Sequence, residues 1–152
     1  MLIELATEKD SENMAARLAN GLISPVVLTF SGDIGVGKTT IIRAMIRCLG
    51  IKSAIKSPTF SLVESYNAVD FSIHHFDLYR ICHENELDDI GFSDYFTKDA
   101  VCFIEWPERV KSCERLTDVS FALRLKGEGR EMDVSAYTAT GEALLSSLRG
   151  KS

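Results

Sequence analysis

The stretch from Gly32 to Thr39 combines glycines, a lysine and a hydroxyl residue at a spacing that can bind phosphate. It fits the pattern G-x-x-x-x-G-K-[ST], in which a glycine-rich loop cradles the phosphates of a nucleotide. Gly35 and Gly37 allow the backbone to turn with its N–H groups pointing inward, which forms a concave site for phosphate oxygens. Lys38 would reach the β and γ phosphates, and the Thr39 hydroxyl would bind Mg²⁺. The loop therefore predicts a site for a nucleoside triphosphate.

The nucleotide is predicted to be ATP. The sequence has no N-K-x-D segment, which supplies the guanine-reading side chains of GTPases. The expected cofactors are therefore Mg²⁺ and ATP or ADP. The loop residues expected to contact the nucleotide are Gly35, Val36, Gly37, Lys38, Thr39 and Thr40.

Two acidic residues stand at the ends of predicted strands, where a P-loop ATPase needs a carboxylate to hold Mg²⁺ or orient water. Glu105 follows the apolar run 100–104, and Asp77 follows residues 72–76. The first run has the stronger buried character, so we expect Glu105 to lie nearer the metal and Asp77 to be an outer ligand or to position water. We predict Lys38, Asp77 and Glu105 as catalytic, with Thr39 joining the two carboxylates at the metal. A solvated strand end is the alternative for either carboxylate.

Two adjacent histidines and the single tryptophan offer further chemistry. Neighbouring residues on a strand point to opposite faces, so His74 and His75 cannot readily share one metal ion. We therefore favour packed or surface imidazoles over a metal site. Trp106 follows Glu105 directly and could stack on a nucleotide or a partner, or could only pack.

The elements around the loop have the order that phosphate binding requires. Residues 26–30 are continuously apolar and rich in β-branched side chains, which predicts a strand covered on both faces, as in a parallel sheet. Residues 40–49 follow the loop as a helix that ends at Gly50. Before the strand, the apolar spacing of residues 14, 18 and 22 predicts a helix capped by Thr7, with Asp10 completing an approximate capping box.

The rest of the chain completes an α/β pattern without repeats or linkers. The other predicted elements are strands at 60–66, 71–79, 100–104, 119–125 and 132–137 and helices at 84–90 and 141–148. Short connections make strands 60–66 and 71–79 an antiparallel hairpin, and the same holds for 119–125 and 132–137. The predicted fold is a P-loop NTPase-like α/β sandwich, in which a mixed, mostly parallel sheet has flanking helices and antiparallel hairpins. We expect residues 1–152 to form a single P-loop ATPase domain.

Composition narrows the function classes. The 22 acidic residues outnumber 17 Lys and Arg, giving a net charge of -5. Such a chain is a poor stand-alone nucleic-acid binder, because affinity for phosphate backbones comes mostly from cations. The four cysteines show no C-x-x-C pair, so we expect reduced thiols. No stretch has the length and apolarity of a membrane helix or signal peptide, which predicts a cytoplasmic protein that does not contact membranes.

Four segments of the chain carry a further signal: residues 32–40 (GDIGVGKTT), 57–60 (SPTF), 75–80 (HFDLYR) and 104–108 (IEWPE). In this order they resemble the TsaE (YjeE) family, small bacterial ATPases needed for threonylcarbamoyladenosine modification of tRNA. Glu86-Leu87 and Ile90-Gly91 fit the family as well, and the matching segments span most of the chain. Ile34, Val36 and Ala44 depart from the usual Leu, Ala and Gly, and no chemical group is lost.

The resemblance implies an ATPase that acts with the TsaD and TsaB proteins, and that meets tRNA only indirectly through that complex. It implies phosphate and Mg²⁺ binding by Lys38 and Thr39. It further implies that Asp77 and Glu105 act at the metal and in hydrolysis, and that Trp106 is needed for function. Thr59 resembles a switch element near the γ-phosphate, and Thr7 is expected near the nucleotide.

The expected mechanism is a nucleotide-driven cycle in which bound Mg²⁺-ATP orders the segments at Thr59 and Asp77, and loss of the γ-phosphate releases them. The TsaD and TsaB partners would recognise which of these two states the protein is in. Hydrolysis by the isolated chain should be slow, since no arginine is obviously placed to stabilise the transferring phosphoryl group. Two alternatives stay open at this point: a small-molecule kinase on the same loop, and a nucleotide-dependent binding module without hydrolysis.

Overall fold

The computed structural model describes residues 1–149 of the chain, and within them one seven-stranded sheet organises the fold. The strands are β1 (Leu2–Leu5), β2 (Val26–Ser31), β3 (Val63–Asn67), β4 (Ser72–Asp77), β5 (Ala100–Glu105), β6 (Val119–Lys126) and β7 (Gly129–Ala136). The helices are α1 (Glu8–Asn20), α2 (Lys38–Cys48), α3 (Glu86–Asp89), α4 (Cys113–Leu116) and α5 (Ala139–Arg149), and short 3₁₀ turns cover Phe92–Tyr95 and Pro107–Arg109.

The sheet is mixed, and its middle is parallel. The strand order is β1-β7-β6-β2-β5-β4-β3. β2 pairs in parallel with β5 and β6, and β4 pairs in parallel with β5. The pairs β1–β7, β6–β7 and β3–β4 are antiparallel. Five strands therefore share one direction while β3 and β7 run against them, which confirms the predicted mixed, mostly parallel sheet.

Helices cover both faces of the sheet because the central strands are apolar on both sides. On β2, Leu28 and Phe30 point to the same side of the sheet as helices α1, α2 and α5. Val27 points to the other side, where it joins a second cluster that includes residues of α3, α4 and the 3₁₀ turn at Phe92–Tyr95. Every residue of β5 is buried, as a strand in the middle of a covered parallel sheet requires.

The first two predicted helices are confirmed, with small differences in their bounds. Thr7 caps α1, and the capping box is complete: the Asp10 N–H donates to Thr7 Oγ1, and the Thr7 N–H donates to Asp10 Oδ2, both at 3.1 Å. α2 begins at Lys38, two residues before the predicted start at residue 40. The helices predicted at 84–90 and 141–148 correspond to α3 and α5.

Both hairpins form, but one predicted strand start was wrong. The strand expected from residue 60 begins at Val63, and Phe60 is 85% exposed. The Leu62 N–H donates to the Pro58 carbonyl at 2.9 Å, and Leu62 has φ of 68°, so this stretch is a turn. The next strand ends at Asp77, before the predicted end at residue 79, and β7 begins at Gly129, earlier than the predicted 132.

Two elements were missed from the sequence, the edge strand β1 and the four-residue helix α4. β1 is only four residues long and pairs antiparallel with β7, which extends the sheet beyond the hairpin. Among the helices of residues 1–149, none has the length and apolarity to cross a membrane.

Candidate functional site

The glycine-rich loop joins the end of β2 to the start of α2. Gly37 is the N-cap of α2, with φ of 106°, a conformation that side chains rarely adopt. Gly32 opens the loop with φ of 138°, and a Cβ there would lie 2.5 Å from the Leu123 carbonyl oxygen of β6. The loop can therefore lie this close to β6 only with glycine at position 32, and Gly37 allows the turn into α2. Of its other predicted contacts, Val36 is buried and Thr40 is exposed.

Lys38 is folded back over the loop. Its side chain is 5% exposed, and Nζ donates to the carbonyl oxygens of Gly32 and Asp33, the second at 3.2 Å. Nζ also lies 4.1 Å from the centroid of the Trp106 ring, within cation–π range. Burial lowers the pKa of Lys38, and the carboxylates of Glu105 and other nearby acids act in the opposite direction. The ammonium group is thus held at the loop and poorly hydrated, which favours contact with an anion.

The two predicted carboxylates lie side by side at the same edge of the sheet as the loop. Asp77 ends β4 and Glu105 ends β5, and their Cα atoms are register partners. Glu105 is also the register partner of Phe30 on β2, which leads into the loop. The carboxyl ends of parallel strands meet at one edge, so this arrangement follows from the topology.

Glu105 is tied directly to the loop. The Thr39 hydroxyl donates to its carboxylate, with Oγ1 2.9 Å from Oε1 and 3.0 Å from Oε2. His75 Nε2 lies 2.6 Å from Glu105 Oε2, and both side chains are buried. The sequence interpretation of the histidines is confirmed in that His75 faces this site, whereas His74 faces away and contacts Ser65.

Asp77 is a partly buried carboxyl group. Burial raises its pKa, the nearby Glu105 carboxylate acts in the same direction, and the Tyr79 N–H that donates to Asp77 Oδ1 at 3.1 Å acts against both. Two adjacent carboxylates of this kind favour a cation between or beside them.

The donor set fits a magnesium ion held together with phosphates. Within residues 1–149 no group of three or more His, Cys, Asp or Glu side chains is arranged to hold a metal. Mg²⁺ in nucleotide sites usually needs only one or two carboxylates, because water and phosphate oxygens supply the other ligands. Thr39, Asp77 and Glu105 offer a hydroxyl and two carboxylates at the loop, which fits that pattern.

Trp106 closes one side of the site. It is one of the two non-glycine residues with positive φ among the described residues, at 60°, and its N–H donates to the Phe30 carbonyl at 3.2 Å. This backbone conformation turns the ring over Lys38. Tyr79 lies against it with ring centroids 4.8 Å apart, and the Arg109 guanidinium lies 5.2 Å from the Tyr79 ring.

Two neighbouring cavities flank the loop and share Thr40. The first, of about 310 Å³, is lined by Lys38, Thr39, Asp77, Glu105 and Trp106, with the glycines of the loop. The second, of about 420 Å³, lies between α1, α2 and β7. Its lining residues include Thr7, Ser11, Thr40, Ala44 and Arg130.

Arg130 was missed by the sequence analysis. It lies on β7, and a Cβ built on Gly37 would come within 2.1 Å of its guanidinium Nη1. No sequence motif marks Arg130. Only the sheet order, which places β7 beside β6 and near β2, brings this cation to the loop.

Thr59 does not line either cavity, and its hydroxyl pairs with Ser57 at 2.8 Å. The segment is nevertheless connected to the site. Leu62, three residues on, accepts a hydrogen bond from the Asp77 N–H at 3.0 Å. The structure thus brings Lys38, Thr39, Asp77, Glu105 and Trp106 together in one cavity. Thr59 lies outside this cavity, in the segment that leads to Leu62.

The overall fold has a solved counterpart. The crystal structure of YdiB from Bacillus subtilis superposes with a TM-score of 0.75, covering 100% of this chain and 96% of that one. The sequences are 24% identical, so this likeness shows the fold.

Sequence comparisons identify the family. The family model for TsaE, a threonylcarbamoyl adenosine biosynthesis protein, matches residues 5–133. The TsaE protein of Haemophilus influenzae is 36% identical over 80% of this chain and 77% of its own length, and that of Bacillus subtilis is 35% identical over 76% and 70%. The TsaE protein of Aquifex aeolicus is 33% identical over 76% and 83%. The resemblance inferred from the four motifs is confirmed, and the chain belongs to the TsaE family of tRNA threonylcarbamoyladenosine biosynthesis proteins.

Proposed function

We propose that this protein is a Mg²⁺-dependent ATPase that hydrolyses ATP to ADP and phosphate as an accessory subunit of tRNA threonylcarbamoyladenosine modification. The observation behind this proposal is that Lys38, Thr39, Asp77 and Glu105 converge on a glycine-rich loop at one edge of the sheet. A cation, a hydroxyl and two carboxylates in this arrangement suit phosphoryl transfer, in which positioning and charge stabilisation do most of the work.

The triphosphate would lie in the cavity at Lys38. The first N–H groups of α2 are free of intrahelical partners, and the helix dipole favours an anion at this end. Lys38 now donates to two loop carbonyls, and phosphate oxygens would offer it stronger, charge-assisted hydrogen bonds. These features support a phosphate site that fixes its ligand by backbone and ammonium together, in a P-loop NTPase-like fold.

The nucleoside would lie in the second cavity, on the other side of Thr40. Ser11 lines this cavity, and its buried hydroxyl has no hydrogen-bond partner in the part of the chain that the structure describes. Thr7 lies at the same cavity, although its hydroxyl already caps α1. Arg130 lines it too and reaches Gly37, so its guanidinium is placed to contact phosphates or ribose.

Thr39, Glu105 and Asp77 would hold Mg²⁺, which supplies charge stabilisation to the phosphates when it is bound. The Thr39 oxygen would face the metal through a lone pair, while its proton can still be donated to Glu105. Asp77, at the neighbouring strand end, would orient the attacking water by accepting a hydrogen bond from it.

Partner proteins would regulate the cycle. We propose TsaD and TsaB as these partners and indirect contact with tRNA through them, in keeping with the net charge of -5. The hydrogen bond between Asp77 N–H and Leu62 gives a route by which the Thr59 segment could respond to the nucleotide. Trp106 and Tyr79 flank the cavity, and Tyr79 is 41% exposed, so a docked partner could contact the site here.

The test is ATP turnover by the purified chain alone and with TsaD and TsaB, measured as ADP and inorganic phosphate. The proposal predicts slow turnover alone, faster turnover with the partners, and phosphate released in equal amount to ADP. ADP without matching phosphate would indicate a kinase that transfers the phosphoryl group to an acceptor. Nucleotide binding without turnover under any of these conditions would indicate a binding module instead.

A further inference from the structure

His75 occupies an unusual position for a buried polar residue. Its side chain is 0% exposed, on the sheet face that also holds Asp77 two residues later on β4. The register partner of His75 is Phe103, two residues before Glu105 on β5. His75 therefore lies two residues before the end of its strand, next to the pair of carboxylates on the same face. Its Nε2 atom lies 2.6 Å from Glu105 Oε2.

The hydrogen bonds define which ring nitrogen contacts the carboxylate. An ionised carboxylate only accepts, so His75 Nε2 must donate to Glu105 Oε2. The other ring nitrogen, Nδ1, is buried and has no hydrogen-bond partner among residues 1–149. The contact with Glu105 therefore runs through Nε2 alone, and it is the one hydrogen bond that the described residues offer to this ring.

Two side chains orient the Glu105 carboxylate, and His75 is the one that does not belong to the phosphate loop. Of the described side chains, only those of Thr39 and His75 make hydrogen bonds to the Glu105 carboxylate. In the proposed function the Thr39 oxygen would face Mg²⁺, so the position of the Thr39 hydroxyl would depend on the bound ligand. His75 is the fully buried donor of the two, and its hold on the carboxylate would not depend on the ligand.

We propose that His75 is a positioning residue, which acts through Glu105 and holds its carboxylate in the orientation that the Mg²⁺-nucleotide complex requires. This inference rests on the proposed function, since it assigns a task within the same site. Hydrogen-bond partners behind a metal ligand fix its direction, and their loss typically weakens metal affinity or activity by about 10- to 100-fold.

A purely structural role for His75 would have a different signature. Loss of a packed, buried ring lowers stability and disturbs all ligands alike. A positioning role affects the metal-dependent part of nucleotide binding and spares the part that the loop and Lys38 supply. Two variants of similar polarity separate these roles: His75→Gln places an amide nitrogen near the position of Nε2, and His75→Asn places it near Nδ1, out of reach of Glu105.

The experiment measures the Kd of ATP by calorimetry, with Mg²⁺ and with EDTA, for wild type and both variants, alongside their thermal unfolding. We expect His75→Asn to weaken Mg²⁺-ATP binding by about tenfold or more with the EDTA value nearly unchanged. We expect His75→Gln to lie within about threefold of wild type, because its amide can replace the donor. Equal Mg²⁺-ATP affinities in all three proteins, or equal losses with and without Mg²⁺, would overturn the inference.

A second measurement needs no variant. Nitrogen-15 NMR of the imidazole rings in the wild-type protein should show a proton on His75 Nε2, the nitrogen that contacts Glu105. A proton on Nδ1 with a bare Nε2 would overturn the inference even if a variant failed to fold. Absence of any Mg²⁺-dependent ATP binding by wild type would remove the proposed function and this inference together, whereas wild-type binding matched by His75→Asn would remove only the inference.

Discussion

The guanidinium group of Arg130 fills the space that a side chain on Gly37 would occupy. A Cβ on Gly37 would lie 2.1 Å from Nη1 and 2.8 Å from Cζ of Arg130, and Gly37 has φ of 106°. Alanine at this position would strain the turn and push the cation away from the loop. Gly37→Ala should therefore weaken ATP binding by at least about tenfold, as measured by calorimetry, since lost charge-assisted hydrogen bonds are worth roughly 1.5–3 kcal/mol.

Gly50 provides a matched control for this change. It has nearly the same φ, 105°, and a Cβ there meets nothing within 4 Å. Gly50→Ala should lower the free energy of unfolding by about 1–2 kcal/mol through backbone strain, as Gly37→Ala should, and leave ATP affinity unchanged. Similar ATP affinities in the two variants would contradict the assigned role of the loop.

Arg130 itself should contribute to nucleotide affinity. Arg130→Ala removes the cation beside the loop and should weaken ATP binding by about tenfold, measured by calorimetry with Mg²⁺. Arg124→Ala on the neighbouring strand is the comparison, because Arg124 pairs with Glu131 away from both cavities. That variant should change stability by no more than about 1 kcal/mol and ATP affinity not at all. A loss of affinity in both variants would point to a general effect of net charge.

Glu105 should be needed for turnover more than for binding. Glu105→Gln removes the negative charge that serves the metal while keeping the shape of the side chain. We expect ATP turnover in the presence of the partners to fall by roughly 100-fold or more and Mg²⁺-ATP affinity to fall by about tenfold, with the affinity measured in EDTA within a few-fold of wild type.

The same charge change at Glu108, an exposed neighbour that also acts on Lys38, is the control for Glu105→Gln. Glu108→Gln should retain turnover close to wild type, because this side chain is outside the cavity. Equal turnover in Glu105→Gln and wild type would rule out a catalytic or metal-binding role for Glu105.

The four cysteines should divide into two classes by reactivity. Cys48 and Cys82 are exposed, and Cys102 and Cys113 are buried free thiols. Burial raises the pKa of both Cys102 and Cys113 to about 12. At pH 8 only about one in ten thousand of such thiols is ionised, so iodoacetamide should label the exposed pair and spare the buried pair until the protein unfolds. Peptide mass spectrometry after timed labelling would check this, and fast labelling of Cys113 would contradict the burial.

The strands that build the site could be predicted because their sequences are apolar on both faces. Residues 26–30 and 100–104 read as buried parallel strands, and their ends place the loop and Glu105 at one edge. The capping box at Thr7 could likewise be predicted, because its geometry depends on two residues that are only three positions apart.

The local sequence pattern predicted the wrong strand boundary at residue 60, where the chain forms a turn. Phe60 and its neighbours have strand-like side chains, but the Pro58 carbonyl accepts a bond from Leu62 N–H and closes a turn. The short strand β1 was missed for a related reason. Its four residues give too little periodicity, and its pairing with β7 is a contact over more than 120 residues of chain.

The partners of the functional side chains depended on sheet order, which the sequence did not reveal. The alternation of strand residues predicted that His74 and His75 diverge, but only the adjacency of β4 and β5 puts His75 against Glu105. In the same way, Arg130 reaches Gly37 because β7 follows β6 beside β2. The single-domain organisation and the cytoplasmic location stay predictions.

The most direct measurement is calorimetric titration of the full chain with ATP in the presence of Mg²⁺, for wild type, Lys38→Ala and Lys52→Ala. Lys38 is buried at the loop, whereas Lys52 is an exposed cation outside both cavities. The account predicts binding heat for wild type and Lys52→Ala, and an affinity at least about tenfold weaker for Lys38→Ala. No binding heat from wild type, or equal affinities for all three proteins, would contradict the phosphate site at Lys38.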